Sequence, residues 1–281
     1  MKQFATITVI GKDKTGVIAG LTNFLFEQKA NIEALEEQVT RGQFSMVLQA
    51  SWLSGQLNEP ALRRGLADFS RQYEMEVSVR LTEPHRLQRA AIFVTREPHC
   101  LQALLPAFKQ GKLKAVPGVV ISNRKDLAGI VRDHGLPFKW VNWEDRQSAE
   151  ERTVAILDEH EIDFLILARF MKILGPTFVW RYKNKIINIH PSLLPSFPGP
   201  QAYRQAYEHG VKIIGVTAHF VSMHLDEGPI IAQESFPFRP GMTLKEIMQR
   251  GQSLESKALI KAVRLYLSKR LDVYWGTVKE V

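Results

Sequence analysis

Three residues near the ends of two apolar segments have side chains suited to the chemistry of an amide-like carbonyl. Asn188 and His190 lie at the end of the apolar run 186–190, and Asp226 lies in the turn 224–229. Residues two apart in a strand project from the same face, so Asn188 and His190 can converge on one small group. An amide and an imidazole can stabilise a developing oxyanion, while a carboxylate can move protons. The trio predicts attack on a carbonyl without a covalent nucleophile.

The segment that follows His190 is conformationally restricted. It contains three prolines and a glycine, which are Pro191, Pro195, Pro198 and Gly199. Proline fixes one backbone angle, so this loop predicts a pre-organised pocket wall. The alternative is structural: Asn188 caps a turn, and His190 packs beneath the prolines. The joint presence of the amide, the imidazole and the carboxylate favours catalysis.

The histidines near this segment also raise the question of a metal site. His190, His219 and His224 could join Asp226 as zinc ligands, because imidazole and carboxylate both suit that ion. No closely spaced histidine pair or cysteine pair accompanies them, so we predict no metal site. On an apolar strand, His219 is more typical of a hydrogen-bonded core histidine or of a support for the Asp226 carboxylate.

Two further segments have both a ligand-binding and a structural explanation. Residues 168–176 follow a predicted strand and combine apolar side chains with two cations, so they can line a slot for a flat heterocycle or simply pack as a strand-to-helix connection. Asp13, Thr15 and Gly16 open the first predicted helix, where backbone N–H groups can receive an anionic effector. Capping of that helix by Asp13 or Thr15 explains the same residues.

The composition narrows the class of protein. The chain has 281 residues, of which 45% are hydrophobic and 23% charged, and this predicts one large or two moderate globular domains. The single cysteine, Cys100, cannot form an internal disulfide, which favours a reducing, cytoplasmic setting. We expect no secretory segment and no membrane helix. The net charge of +8 is dispersed, so it predicts attraction of small polyanions rather than nucleic-acid binding.

The N-terminal region predicts a ferredoxin-like βαββαβ unit. Strand patterns cover residues 4–10, 31–40, 43–51 and 75–81, and helical patterns begin at residue 17 and cover residues 60–72. The polar, proline-containing segment 82–86 then predicts a domain boundary. We therefore expect an N-terminal regulatory domain over residues 1–84 and a second domain over residues 85–281.

The second domain is predicted to be an α/β, Rossmann-like domain. Apolar strand patterns alternate with helical segments, which favours a mostly parallel sheet, and they cover residues 91–95, 116–122, 138–141, 164–168 and 186–190. Residues 212–221 and 229–238 predict an antiparallel extension, joined by the loop that holds Asp226. Residues 243–267 predict one or two closing amphipathic helices.

These motifs resemble those of a known family, the folate-dependent formyltransferase fold. The resemblance is carried by Asn188-Ile189-His190, by residues 191–195 and by residues 225–230. It implies that 10-formyltetrahydrofolate is the substrate and that no cofactor is permanently bound. It also implies that Asn188 holds the formyl oxygen, that His190 stabilises the tetrahedral intermediate, and that Asp226 relays protons through water.

The same resemblance implies binding segments and an effector domain. The pterin ring would be held, largely through backbone groups, by Met171, Lys172, Ile173, Leu174, Met223, His224 and Leu225. The N-terminal unit resembles an ACT domain, including the Asp-x-x-Gly turn at residues 13–16. This implies a possible amino-acid effector near Asp13, Thr15 and Gly16, and a homo-oligomer.

The formyl acceptor is either water or an amine. An acceptor such as glycinamide ribonucleotide needs a phosphate cradle, which a glycine-rich loop after the first strand would supply. Residues 95–100 contain no glycine and include a proline, which favours hydrolysis and the release of formate and tetrahydrofolate into one-carbon and purine metabolism. Pro191 and residues 200–204 depart from the pattern usual in hydrolytic members. A folate or amino-acid sensor without turnover is the non-enzymatic alternative.

Overall fold

The computed structural model describes residues 2–82, 86–274 and 276–280. The chain divides into two compact units, Met1–Arg86 and Leu87–Val281. The domain boundary predicted between residues 84 and 85 lies outside the described residues.

The first unit is an antiparallel sheet with two helices. Its elements are β1 Lys2–Lys12, α1 Val17–Glu27, β2 Asn31–Thr40, β3 Gln43–Leu53, α2 Glu59–Tyr73 and β4 Glu76–Leu81. The strands are ordered β2-β3-β1-β4, with β1 between β3 and β4. This is the predicted βαββαβ order, and the prediction is confirmed.

The two helices of this unit pack closely over one face of the sheet. Helix α2 begins where the Asn58 side chain accepts a hydrogen bond from the backbone N–H of Ala61. Gly65 lies where the helices meet, and a Cβ atom there would fall 2.2 Å from the ring of Phe24. The core beneath them is fully apolar and includes Ile7, Leu21, Leu25, Met46, Leu48 and Leu62.

The second unit alternates strands and helices along most of its length. Its elements are β5 Gln88–Val94, α3 His99–Lys109, β6 Ala115–Ser122, α4 Ala128–Asp133, β7 Phe138–Trp140, α5 Arg146–Glu159, β8 Phe164–Leu167, α6 Pro176–Arg181, β9 Ile186–His190, α7 Ala202–Glu208, β10 Ile213–Phe220, β11 Ile230–Pro237, α8 Leu244–Leu267, β12 Leu271–Tyr274 and β13 Thr277–Glu280.

The main sheet of this unit has seven strands in the order β11-β10-β9-β8-β5-β6-β7. Strands β5 to β9 run parallel, while β10 and β11 are antiparallel to their neighbours. The predicted mostly parallel sheet with an antiparallel extension is confirmed. Successive residues of β5 enter two different cores, Ile92 on one face and Phe93 on the other, because both faces are covered.

Strand β5 is the point at which the strand order reverses, since the chain continues to β6 on one side and later returns to β8 on the other. In open α/β sheets a crevice forms at such a point, outside the carboxyl ends of the strands. Here that crevice lies beyond the ends of β5 and β8.

Several short elements of the second unit differ from the sequence-based prediction. Helix α6 lies where a helical segment is predicted between the strands 164–168 and 186–190, but it has only six residues. Helix α7, with seven residues, is not predicted, because so short a helix does not show a period of 3.6. The hairpin β12–β13 was not predicted either. Residues 243–267 contain one helix, α8, which begins with a capping box between Thr243 and Glu246.

Across the described parts of both units, no helix is long and apolar enough to cross a membrane.

The contact at Gly65 predicts a loss of stability in Gly65→Ala. The added methyl group must displace the Phe24 ring, and overpacking of this kind costs about 1–3 kcal/mol. Urea unfolding monitored by hydrogen exchange within residues 2–82 would measure the loss. Gly129→Ala is the control, because a Cβ atom on that α4 residue meets no atom within 4 Å. Equal stability of the two variants would contradict the packing described for α1 and α2.

Candidate active site

The pairing of β9 with β10 brings polar side chains from two strands together. Asn188 lies opposite His219, and His190 lies opposite Thr217. The alternation of a strand places Asn188 and His190 on one face, and the antiparallel register places His219 and Thr217 beside them.

His190 and Asp226 form a buried pair. The Nδ1 atom of His190 lies 3.3 Å from Oδ2 of Asp226, and their side chains are 6% and 7% exposed. On the other side of the ring, Nε2 lies 3.0 Å from the carbonyl oxygen of Phe197. Since a carbonyl only accepts, Nε2–H donates to it, and Nδ1 is directed to the carboxylate. The imidazole and the carboxylate are therefore placed so that a proton can pass between them.

The loop that holds Asp226 is fixed by backbone contacts. Oδ2 of Asp226 accepts a hydrogen bond of 2.8 Å from the backbone N–H of Gly199. Asp226 has a left-handed backbone with φ of 58°, a conformation that aspartate adopts more readily than most residues. Gly228 approaches β10 so closely that a Cβ atom would lie 1.7 Å from the carbonyl oxygen of Phe220. Any side chain at this position would move the loop.

His219 orients the amide of Asn188. Its Nδ1–H donates to the carbonyl oxygen of Phe220 at 2.8 Å, which leaves Nε2 to accept a hydrogen bond from Nδ2 of Asn188 at 3.2 Å. Burial lowers the pKa of His219, so the ring is held in the neutral form that can accept. Its Nε2 atom lies 3.9 Å from Oδ1 of Asp226, so the predicted supporting residue lies nearer to the amide than to the carboxylate.

Two residues that the sequence did not single out hold the proline loop against the sheet. The buried hydroxyl of Thr217 donates to the carbonyl of Ser192 at 2.7 Å and accepts from the N–H of Leu194 at 3.0 Å. The Gln233 amide donates to the same hydroxyl at 3.0 Å and to the Leu194 carbonyl at 3.1 Å. In the sequence, Thr217 differs from its neighbours only as a polar residue on an apolar strand. That difference does not predict which groups its hydroxyl contacts.

The predicted heterocycle slot combines exposed and buried positions. Met171 and Ile173 are exposed, whereas Leu174 is buried in the core. The segment is anchored at both ends, because the N–H of Met171 donates to Oγ1 of Thr95 at 3.0 Å and that of Gly175 donates to Glu150 at 2.5 Å. This leaves apolar side chains exposed on a fixed backbone.

The second predicted binding segment follows β10. Leu225 and His224 are exposed, and the sulfur of Met223 accepts a hydrogen bond of 2.7 Å from Nε1 of Trp180. Lys172, in the first segment, is half-buried.

The predicted effector residues belong to the first unit. In the first unit, Gly16 occupies the N-cap of α1 without a side-chain hydrogen bond, so capping of α1 by Asp13 or Thr15 is wrong. Among the described residues, the group with metal-ligand spacing is His99, Cys100 and Glu255, whose donor atoms lie within 4.8 Å of one another.

Comparisons with known proteins cover both units. A formyl transferase family profile matches residues 88–263, and an ACT domain profile matches residues 3–80. A formyltetrahydrofolate deformylase from Escherichia coli strain K12 is 38% identical, over 97% of this chain and 96% of its own length.

Solved structures include two kinds of similar protein. The crystal structure of a formyltetrahydrofolate deformylase from Pseudomonas syringae superposes with a TM-score of 0.68 and 28% identity, covering 100% of this chain and 94% of its own. A glycinamide ribonucleotide transformylase from Symbiobacterium toebii reaches a TM-score of 0.67 and 33% identity, but it covers 71% of this chain and 96% of its own.

The burial of neutral His219 predicts a pH-dependent stability. Its folded-state pKa is lowered, so the unfolded chain takes up the proton first, and stability falls as the pH drops below about 6.5. His219→Gln should remove the contribution of this imidazole to the loss of stability at low pH. That contribution is at most about 1.4 kcal/mol per pH unit. Urea unfolding at pH 8 and pH 5.5, with each protein compared with itself, measures the difference. An unchanged loss in His219→Gln would contradict a neutral, buried imidazole.

Proposed function

Since this chain belongs to the formyltetrahydrofolate deformylase family, we propose that it hydrolyses 10-formyltetrahydrofolate to formate and tetrahydrofolate. The observation that carries this proposal is the contact between His190 and Asp226 beside an amide held in place by His219. The match to relatives of this kind extends through the ACT domain, whereas the transformylase covers only part of the chain.

In the proposed mechanism the Asn188 amide binds the formyl oxygen. One N–H of this amide donates to His219, which leaves the second N–H to donate to the oxygen as negative charge develops there. His190 lies two residues further along the same strand face. Its Nε2–H, which donates to the Phe197 carbonyl in the structure, donates instead to the same tetrahedral intermediate in the proposed mechanism.

Asp226 moves the protons. Water attacks the formyl carbon, and its proton passes to the pair formed by His190 and Asp226. Collapse of the intermediate breaks the bond between the formyl carbon and N10, and N10 receives the proton. Formate and tetrahydrofolate are the products, and no bond to the protein forms. The segments 171–174 and 223–225 hold the pterin ring beside these residues.

The start of α3 supports water as the formyl acceptor. The loop after β5 contains no glycine, and Pro98 occupies the N-cap of α3 without a side-chain hydrogen bond. A phosphate-bearing amine, the alternative acceptor, would need backbone N–H groups at this place, and proline has none.

The test of the function is an assay without an amine. Purified protein is mixed with 10-formyltetrahydrofolate alone, and formate is measured with time. We expect steady formate release that needs no added amine. Release that occurs only after an amine such as glycinamide ribonucleotide is added would show a transferase instead.

Substitution of the trio should affect turnover more than binding. Asn188→Ala, His190→Ala and Asp226→Asn each remove a group proposed to act on the transition state, and the loss of one such group costs about 100- to 1,000-fold in kcat. Steady-state kinetics should show much smaller changes in KM.

Two exposed residues provide matched controls for these variants. His134→Ala, at the exposed C-cap of α4, and Asp272→Asn, at an exposed position of β12, repeat the same changes of side chain and should retain wild-type kcat. Wild-type turnover in any trio variant would contradict the role proposed for that residue.

Four wider proposals accompany this function. The buried, unpaired Cys100 supports a cytoplasmic location, and the products support a place in one-carbon and purine metabolism. The ACT domain supports a homo-oligomer and an amino-acid effector bound near Asp13, Thr15 and Gly16.

A further inference from the structure

The segment 171–174, which is proposed to hold the pterin ring, lies outside the helices and strands of the second unit. In the described chain, no backbone group of residues 169–174 is hydrogen-bonded to another backbone group. Phe170 and Leu174 are buried in the core, while Met171 and Ile173 between them are exposed. The backbone that carries the two exposed side chains must therefore be fixed by other contacts.

The first of these contacts is made by the Thr95 hydroxyl. Thr95 directly follows β5 and is buried. Its Oγ1–H donates to Oδ1 of Asn123 at 2.8 Å, and Oγ1 accepts the backbone N–H of Met171 at 3.0 Å. A hydroxyl has one hydrogen, so with that hydrogen engaged by Asn123 the lone pairs of Oγ1 remain for Met171. The start of the segment is thereby tied to the ends of β5 and β6.

The second contact is made by the Glu150 carboxylate, on α5. Its Oε1 accepts the backbone N–H of Gly175 at 2.5 Å. A Cβ atom at position 175 would lie 2.9 Å from Oε2, so glycine admits the carboxylate there. Burial raises the pKa of Glu150, although the hydrogen bond from Gly175 and the charge of Arg146 oppose this effect. A carboxylate is thus kept in a partly buried place where it holds the end of the segment.

A further buried carboxylate has partners of a different kind. Glu255, on α8, lies 3.0 Å from Nε2 of His99 and 3.3 Å from Nε of Arg169. It also accepts a hydrogen bond of 2.7 Å from the Tyr203 hydroxyl. All three partners of this Glu255 cluster are side chains. The cluster therefore fixes the side chain of Arg169, and the backbone of the segment 171–174 is left to the two other anchors.

A segment that is held at both ends is already ordered when its ligand arrives. Ordering a free backbone costs conformational entropy for every residue that is fixed, and a ligand that must order its own site binds more weakly. Loss of either anchor frees one end of the segment. The cost then falls on folate binding, while the groups that act on the formyl carbon keep their places.

We propose that Thr95 and Glu150 are positioning residues that hold the segment 171–174 ready for the pterin ring, so that folate affinity depends on both anchors together. This inference rests on the proposed function. Each residue acts through a backbone N–H, that of Met171 or that of Gly175, and neither is proposed to contact the formyl group.

The experiment removes each anchor and keeps the approximate size of its side chain. Thr95→Val lacks the hydroxyl, and Glu150→Leu lacks the carboxylate. Each change leaves a partly buried N–H without its acceptor, which should raise the KM for 10-formyltetrahydrofolate about ten-fold. We expect kcat to stay within about two-fold of the wild-type value, because an interaction that serves binding alone is lost.

Conservative variants provide matched controls. Thr95→Ser keeps the hydroxyl and Glu150→Gln keeps an acceptor oxygen, so both should retain a KM close to that of the wild type. Glu151→Leu makes the same change as Glu150→Leu at the next, exposed residue of α5, and its KM should also be that of the wild type.

The double variant Thr95→Val, Glu150→Leu tests whether the anchors act as one unit. Two independent losses would multiply to a rise of about 100-fold in KM. Release of one end already frees a shared segment, so we expect the double variant to remain below about 30-fold. A rise near the product of the two single effects would overturn the joint action of the anchors.

Urea unfolding of every variant separates positioning from a purely structural role. A single variant that loses stability but keeps the wild-type KM would overturn the proposal, and so would one whose kcat falls while KM is unchanged. If Glu150→Leu does not fold, Gly175→Ala takes its place, because the added methyl group displaces the carboxylate and should raise KM in the same way.

Failure of the proposed hydrolysis gives a different result, the absence of formate release by the wild type. The same variants are then compared by their affinity for tetrahydrofolate, measured by isothermal titration calorimetry. Weaker binding by Thr95→Val and Glu150→Leu would still support the two anchors. Equal affinity of the wild type and these variants, or no binding of tetrahydrofolate by the wild type, would overturn them.

Discussion

The antiparallel alignment of β9 with β10 is the constraint on which the candidate active site depends. It places Asn188 opposite His219, which accepts a hydrogen bond from the Asn188 amide. It also places His190 opposite Thr217, whose hydroxyl holds the proline loop that follows His190. A shift by one residue would turn each side chain to the opposite face of the sheet. The apolar residues between the polar positions oppose such a shift, because they are buried on the other face.

The second unit buries two carboxylates near one sheet edge and partners them differently. Asp226 faces an imidazole, whose proton can move, and a backbone N–H from Gly199. Glu255 faces a guanidinium that keeps its charge at any ordinary pH. Since burial of an unpaired charge is costly, both need partners. Because their partners differ, Asp226 is suited to proton transfer, whereas Glu255 is suited to carry a fixed negative charge.

The sequence predicted the fold well where the pattern is local. Alternation and apolar runs located the strands of both units, and residue type alone singled out Asn188, His190 and Asp226. The sequence could not predict contacts made across long separations. The hydrogen bond of His219 to Asn188, the role of Gln233 and the partners of Glu255 depend on which strands and helices become neighbours. The sequence also could not predict that α1 begins after Gly16 without a side-chain cap.

The spacing of these groups along the chain has a consequence for the order of assembly. Asn188, His190 and Asp226 belong to one continuous stretch that forms β9, α7, β10 and the loop to β11. The Glu255 cluster instead unites α3, the end of β8, α7 and α8, which requires the ends of the domain to meet. Contacts between distant parts of a chain form late. The proposed catalytic trio therefore needs a shorter span of chain to assemble than the Glu255 cluster, which closes only when the last long helix packs against α3.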